Sequence, residues 1–193
     1  MKDEKSKTST RESLLRAAIR VVQQGSVTSL TLDAVAREAG VSKGGLLYHF
    51  PSKDALIKGL VSQFIAEWNR AMDWEFERDP EPELPGRWLR AYIRSCFANY
   101  DAEEYSTLGL TQGDVAGFLV AISSDAELLE DVYKEYEIWD EKCLNDGIDP
   151  AVATVIRLAA DGLYFSEAFH LAPPTGEAKR KVMESLLALA RPS

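Results

Sequence analysis

The stretch from Thr31 to Lys53, TLDAVAREAGVSKGGLLYHFPSK, constrains the fold more than any other part of the chain. Thr31 is an N-cap residue with Asp33 in the turn behind it, and Gly40 closes that helix after only a few residues. Ser42 is a second N-cap. The helix it opens must stop by Phe50, because Pro51 disfavours helical backbone in the residue before it. Ser52, followed by Asp54, opens another helix at once. Two short helices joined by a tight glycine turn form a helix-turn-helix.

Almost every other long segment carries a helical period, and no alternating strand pattern of any length occurs. Helix one is predicted from Thr10 to Gln24, with Leu14, Leu15, Ala18, Ile19 and Val22 as its apolar stripe and Gly25 as its stop. Helix four, begun after Ser52, has a stripe from Leu56 through Phe64 and Trp68 to Met72. That stripe is too long for a small head alone, so its far end must meet a second core. Asp79 to Gly86, with three prolines in eight residues, reads as the linker. Helix five presents Trp88, Leu89, Tyr92, Ile93, Cys96, Phe97 and Tyr100. A sixth, glycine-interrupted helix lies within Ser106 to Ile122, and a seventh runs from Asp125 to Asn145. Asp149 and Pro150 open an eighth that reaches about His170, and Thr175 caps a ninth from Gly176 to Ala190. The expected fold is all-α, about nine helices, with a three-helix helix-turn-helix domain over 1–52 and a larger helical domain over 53–193.

Charge divides along the same line. Residues 1–60 hold ten Lys and Arg against six Asp and Glu, a net of +4. Residues 61–193 hold twelve against twenty-five, a net of −13, so the formal −9 of the whole chain hides a basic head on an acidic body. Such a balance argues against non-specific coating of nucleic acid and for one phosphate-facing module. Cys96 and Cys143 lie far apart with no histidine pair near them, which speaks for buried thiols and against a zinc site. There is no GxSxG elbow, P-loop, HExxH or dinucleotide fingerprint, and there are only two histidines, so neither an enzyme nor a cofactor is expected. The start MKDEKSKTSTRES has no apolar run, and the longest such run, 151–169, is broken by Arg157, Asp161 and Glu167. A cytoplasmic protein without secretory signal or membrane span is the expectation.

Residues 10–65 resemble the TetR family of transcriptional regulators. Thr31, Ala36, Ala39-Gly40-Val41-Ser42, Gly44, Leu46, Tyr48, Phe50, Lys53 and Leu56 match that family's head at its spacing. The acidic helical remainder resembles the family's ligand and dimer domain in outline. In the second short helix, Leu46 and Phe50 sit four apart on one face and should pack inward, while Lys43 and Leu47 point away, into a major groove. Lys43 can donate to a guanine edge or a phosphate, and Leu47 can meet a thymine methyl. Tyr48 and His49 sit at the groove rim; Lys53 and Thr31, at helix starts, suit phosphates. The expected DNA-facing set is Thr31, Ser42, Lys43, Gly44, Gly45, Leu47, Tyr48, His49 and Lys53. The glycine pair is unusual, because each costs a helix interior about 1 kcal/mol relative to alanine. The resemblance implies that the first allows close approach to the DNA backbone.

The resemblance further implies a homodimer on a near-palindromic double-stranded operator. Val155, Ala159, Gly162, Phe165, Ser166 and Phe169 of helix eight, with Val182, Met183, Leu186 and Leu189 of helix nine, are the expected interface; the same faces would alternatively close the monomer's core. It also implies a pocket between helices four to eight whose effector displaces helix four. Trp68, Trp88, Tyr92, Phe97, Phe118, Tyr133, Tyr136, Trp139 and Tyr164 are its expected lining, suited to an apolar, aromatic or cationic small molecule, with plain core packing the weightier reading for any one of them. The function implied is a repressor released from its operator by that ligand. An activator is the alternative, because a regulator's own sequence does not encode where its operator lies. A non-enzymatic adaptor that has lost DNA binding is another, against which Lys43, Tyr48, His49 and Lys53 stand together.

Overall fold

A computed structural model describes residues 2–25, 29–98 and 111–192, with side chains for all of these except 2–9 and 112. Among the described residues there are nine helices: α1 (Lys2–Gln24), α2 (Leu32–Glu38), α3 (Lys43–His49), α4 (Lys53–Glu77), α5 (Arg87–Phe97), α6 (Gln112–Ile122), α7 (Glu130–Leu144), α8 (Pro150–Ala168) and α9 (Gly176–Leu189). The fold is all-α, as the sequence implies. Among the described residues no helix is long and apolar enough to cross a membrane. Tyr100, Gly109 and the first part of the sixth predicted helix lie outside the described residues.

The chain divides into two compact units, one of residues 1–63 with 118–129, the other of 64–117 with 130–193. Where the sequence reading drew its boundary at 52/53, compactness divides the chain inside α4 and groups 118–129 with the head.

In the first unit α1 packs on α2 and α2 on α3. Leu14, Leu15 and Ile19 of α1, Val35 and Ala36 of α2, Leu46, Phe50 and the start of α4 at Leu56, Ile57 and Leu60 are all buried. α1 begins well before Thr10, because nothing in KDEKSKTST breaks a helix. The local stops act as written. Ala34 N–H donates to Thr31 Oγ1 at 3.1 Å, Gly45 N–H to Ser42 Oγ at 3.1 Å and Ala55 N–H to Ser52 Oγ at 3.0 Å.

In the second unit α5 is central and packs against α7, α8 and α9. Leu89 and Ile93 of α5, Ala153 and Ile156 of α8, and Leu186 and Ala190 at the end of α9 share one core. The proline-rich stretch read as a linker is folded into that unit. Its centre is Arg90, wholly buried, whose guanidinium donates to Asp79 Oδ2 at 2.9 Å and to the carbonyls of Glu81, Leu84, Pro85 and Ala190. Gly86 lies in the left-handed region at φ +84°, and a Cβ there would stand 2.1 Å from the Ala190 carbonyl oxygen. With glycine required at its N-cap, α5 takes its cap from afar: the N–H groups of Trp88 and Leu89 donate to the Asp146 carboxylate at 3.1 and 2.8 Å.

Two further boundaries differ from the sequence reading. α7 starts at Glu130 and not near Asp125, because Asp125 Oδ1 takes the Glu127 N–H and i→i+3 bonds tighten the chain into turns up to Leu129. α8 ends at Ala168 in a Schellman motif, with Leu171 N–H on the Ser166 carbonyl and His170 N–H on that of Glu167. Thr175, predicted to cap α9 with its side chain, makes no such bond.

Candidate nucleic-acid interface and ligand cavity

α3 turns Leu46 into the core of the first unit, followed by Phe50 at its C-cap. At 100° per residue the direction opposite those two is held by Gly44 and Tyr48, with Gly45 beside them. The exposures agree: Gly44 and Gly45 are exposed and Tyr48 is 68% exposed. Leu47, expected to point straight out, is half-buried on the flank. Lys43 is exposed and paired with Asp33 of α2 at 3.0 Å, a partner the sequence reading missed. Tyr48 meets the His49 ring edge-on, with centroids 5.2 Å apart. Lys53 is exposed at the first residue of α4. Thr31 and Ser42 are exposed at the starts of their helices, each oxygen accepting a cap bond and each hydroxyl proton still available to donate. The outward surface is therefore two cationic side chains, hydroxyls, an imidazole and a phenol around a glycine gap, a donor-rich surface suited to phosphate oxygens and groove edges.

The second unit holds a small cavity. Trp68 and Met72 from α4, Tyr92 and Cys96 from α5, Tyr136 and Trp139 from α7, and Asp161, Tyr164 and Phe165 from α8 line it. The rings interlock: Trp68 stands across Trp139 and Tyr164 with centroids 5.3 and 5.2 Å away, and Tyr136 sits 5.1 Å from Trp139. The space they leave is about 10 Å³, room for about one water molecule. Five of the expected lining residues (Trp68, Tyr92, Tyr136, Trp139, Tyr164) thus meet in one place. Trp88 stacks on Tyr92 and lines a neighbouring open groove. Phe97 is packing for the helical core. Tyr133 is half exposed and away from the cavity, and Phe118 is buried among residues grouped with the first unit. Helical period alone places aromatics on inner faces without saying which faces converge.

The polar group at the cavity is Asp161. Tyr92 donates its hydroxyl to Oδ1, and Arg157 Nη1 lies 3.3 Å from Oδ2. Burial pushes the Asp161 carboxyl up from its ordinary value, against the opposing pull of Tyr92 and Arg157. Burial likewise raises the phenols of Tyr92, Tyr136 and Tyr164 and the Cys96 thiol, so all four stay protonated. Arg157 is shared: its Nε is 3.3 Å from Asp140 Oδ1 but makes no hydrogen bond. Sequence reading took Asp161 as a break in an apolar run; its place four residues after Arg157 and three and four before Tyr164 and Phe165, on one helical face, was the available signal.

Most of the expected interface residues are exposed on α8 and α9. Val155 (58%), Ala159, Gly162, Phe165 and Phe169 are open on α8, with Ser166 half-buried beside them; Val182 and Leu189 are open on α9. Leu158, which the sequence reading passed over, is also exposed. Leu186 is a correction: it is buried in the core with α5, and Met183 packs against the same core.

Two family models match the chain. Residues 14–60 match the bacterial regulatory proteins of the tetR family, and residues 86–191 match the tetracyclin repressor-like C-terminal domain. Among curated proteins, the uncharacterized HTH-type transcriptional regulator YerO of Bacillus subtilis is 27% identical over 103 residues, covering 53% of this chain. The matched stretch spans 35% of YerO's own length. A TetR-family structure from Streptomyces coelicolor A3 is 26% identical with a TM-score of 0.64, covering 95% of this chain and 99% of that one. The multidrug binding protein EbrR complexed with ethidium is 25% identical with a TM-score of 0.62, covering 92% and 97%.

Proposed function

The chain belongs to the TetR family of transcriptional regulators, and from that premise we propose that it is a sequence-specific DNA-binding repressor. In this reading it acts as a homodimer and is released when a small molecule enters the aromatic cage of its second unit. The observation that carries the DNA-binding half is the outward surface of α2 and α3, with Lys43, Tyr48 and Lys53 standing around the Gly44–Gly45 gap. Glycine at the closest point lets the α3 backbone approach the duplex, while Tyr48, one turn on, has the reach to meet it. Phosphate-directed groups (Thr31, Ser42, His49, Lys53) outnumber base-directed ones, so the two-fold spacing of heads must supply much of the specificity, with half-sites about 34–36 Å apart. Leu47 contributes from the flank, against a thymine methyl.

The ligand half is supported by the convergence of aromatic side chains from four helices on one point that also holds a carboxylate. A core that only needed filling has no use for Asp161 there.

Selection of bound sequences from random duplex DNA at two salt concentrations tests the DNA-binding reading. The expected result is a palindromic motif whose affinity falls steeply with salt. Absence of enrichment at either salt would sink it. Repression is read separately, from a reporter promoter carrying the selected motif.

A further inference from the structure

The carboxylate that lines the cavity is paired with a cation of the protein's own, which stands beside the lining. Arg157 reaches Asp161 at 3.3 Å and Asp140 at 3.3 Å. Both distances are longer than the roughly 2.7–2.9 Å of a strong charge-assisted bond, and the Arg157 side chain is mostly buried. One guanidinium is stretched between two carboxylates, closely bonded to neither. Tyr92 already donates its hydroxyl to Asp161. Trp68, Tyr136, Trp139 and Tyr164 surround the same point, and ring faces attract a positive charge. The arrangement is an aromatic box whose carboxylate is engaged by one of the protein's own guanidinium groups.

We infer that the effector is a flat, charge-delocalised organic monocation that takes the place of Arg157 at Asp161, while Arg157 keeps Asp140. This rests on the reading of the cage as the effector site. A delocalised cation matches a guanidinium in being weakly hydrated and planar, and its arrival sets two cations against the two carboxylates that now share one. A neutral aromatic would leave the Arg157–Asp161 pair standing and gain ring contacts alone. An anion would meet Asp161 directly.

The route in is through Met72. It lines the cage and also an open groove of about 630 Å³ walled by Asp73, Phe76 and Trp88, with Lys142 and Asp146 across from them. A thioether chain with several rotatable bonds is a wall that moves easily. Trp88, stacked on Tyr92 with ring planes 25° apart, continues the aromatic surface from groove to cage.

The test uses the full chain without DNA and two probes at pH 8: ethidium, a permanent planar cation, and phenanthridine, the neutral ring system of the same class. Dissociation constants are read from quenching of tryptophan emission and from calorimetry. The expected result is that the preference for ethidium over phenanthridine falls at least tenfold in Asp161→Asn and rises in Arg157→Gln, where the internal competitor is gone. Circular dichroism and melting of each variant confirm that the fold is kept. If the preference is unchanged in both variants, charge is not what the cage reads and the inference is overturned, while binding of both probes leaves the effector-cage reading in place. If neither probe binds, the effector-cage reading fails, and the inference with it.

Discussion

Burying a guanidinium leaves five N–H donors to satisfy, and Arg90 meets that demand with one carboxylate and four backbone carbonyls. Those acceptors come from the 79–85 stretch and from the end of α9, so one side chain ties two distant pieces of chain together. Removing it takes the closest cation from the buried Asp79 carboxylate, leaving it the Glu81 N–H at 3.0 Å and Arg94 Nη1 at 3.7 Å. Arg90→Met is expected to lose about 3–5 kcal/mol of unfolding free energy, and Arg90→Lys most of that, because an ammonium cannot reach five acceptors in a plane; urea denaturation checks both. Asp161 makes the opposite case. Its carboxyl is pushed up by burial, so the folded state holds its proton more tightly than the unfolded chain does. Stability is then highest below the ordinary carboxylate range and is lost as pH rises through the raised value. Above that raised value the native chain carries the penalty of a buried charge, which Asp161→Asn does not. The variant should therefore melt higher than the native protein at pH 7, with the difference closing as pH falls into the acid range. A buried group that lowers stability while facing a cavity is the pattern of a residue kept for binding. A variant that melts lower at pH 7 would show that Asp161 is structural.

At the scale of the helix, α3 trades stability for access. A Cβ at position 44 would find its nearest neighbour, Ser42 Oγ, at 4.0 Å, so alanine fits there without strain. Gly44→Ala should raise the unfolding free energy by roughly 0.5–1 kcal/mol and yet weaken binding to the selected motif, since the methyl stands where the backbone is proposed to meet the duplex. Melting and fluorescence anisotropy on the same sample decide it; unchanged affinity would remove Gly44 from the interface. At position 45 the same atom lies at 3.3 Å, so a side chain there presses on the cap oxygen that holds the helix start. α2 and α3 were readable residue by residue because everything that bounds them is local: Thr31, Gly40, Ser42 and Pro51 act on their immediate neighbours. The stretch 79–86 was not, because prolines signal a break but not what the broken chain is bonded to. Its order comes from Arg90 and Ala190, far along the sequence. Likewise the aromatics of α4, α5, α7 and α8 were legible one by one, whereas their meeting around Asp161 depends on how four helices cross. The end of α8 stores a smaller mismatch: His170 occupies the left-handed position of the Schellman motif at φ +54°, where glycine is the usual residue.

At the scale of the molecule, the proposed homodimer turns on a face that one protomer leaves open. Val155, Ala159, Gly162, Ser166 and Phe169 recur at alternating steps of four and three along α8, the spacing with which helices pack at shallow angles. On α9, Ala178, Val182, Ser185 and Leu189 repeat the pattern and are all exposed. Small residues between large ones let two helices approach closely, and two copies of each would form a four-helix seam. Ala159→Glu places a charge in the middle of that seam without touching the core of the monomer. Leu186→Ala does the reverse: it opens a hole in the buried core and leaves the seam intact. The two should separate in a melting series over protein concentration. The native dimer's Tm should rise with concentration, because association stabilises the folded state by mass action. Ala159→Glu should lose that dependence, sediment as a monomer and bind the palindromic motif at least tenfold more weakly, because each head then binds its half-site alone. Leu186→Ala should lose about 2–5 kcal/mol, with a lower Tm at every concentration and the dependence retained. An Ala159→Glu protein that still sediments as a dimer would move the interface off α8, and the coupling between effector and operator would then have to run through some other pair of surfaces.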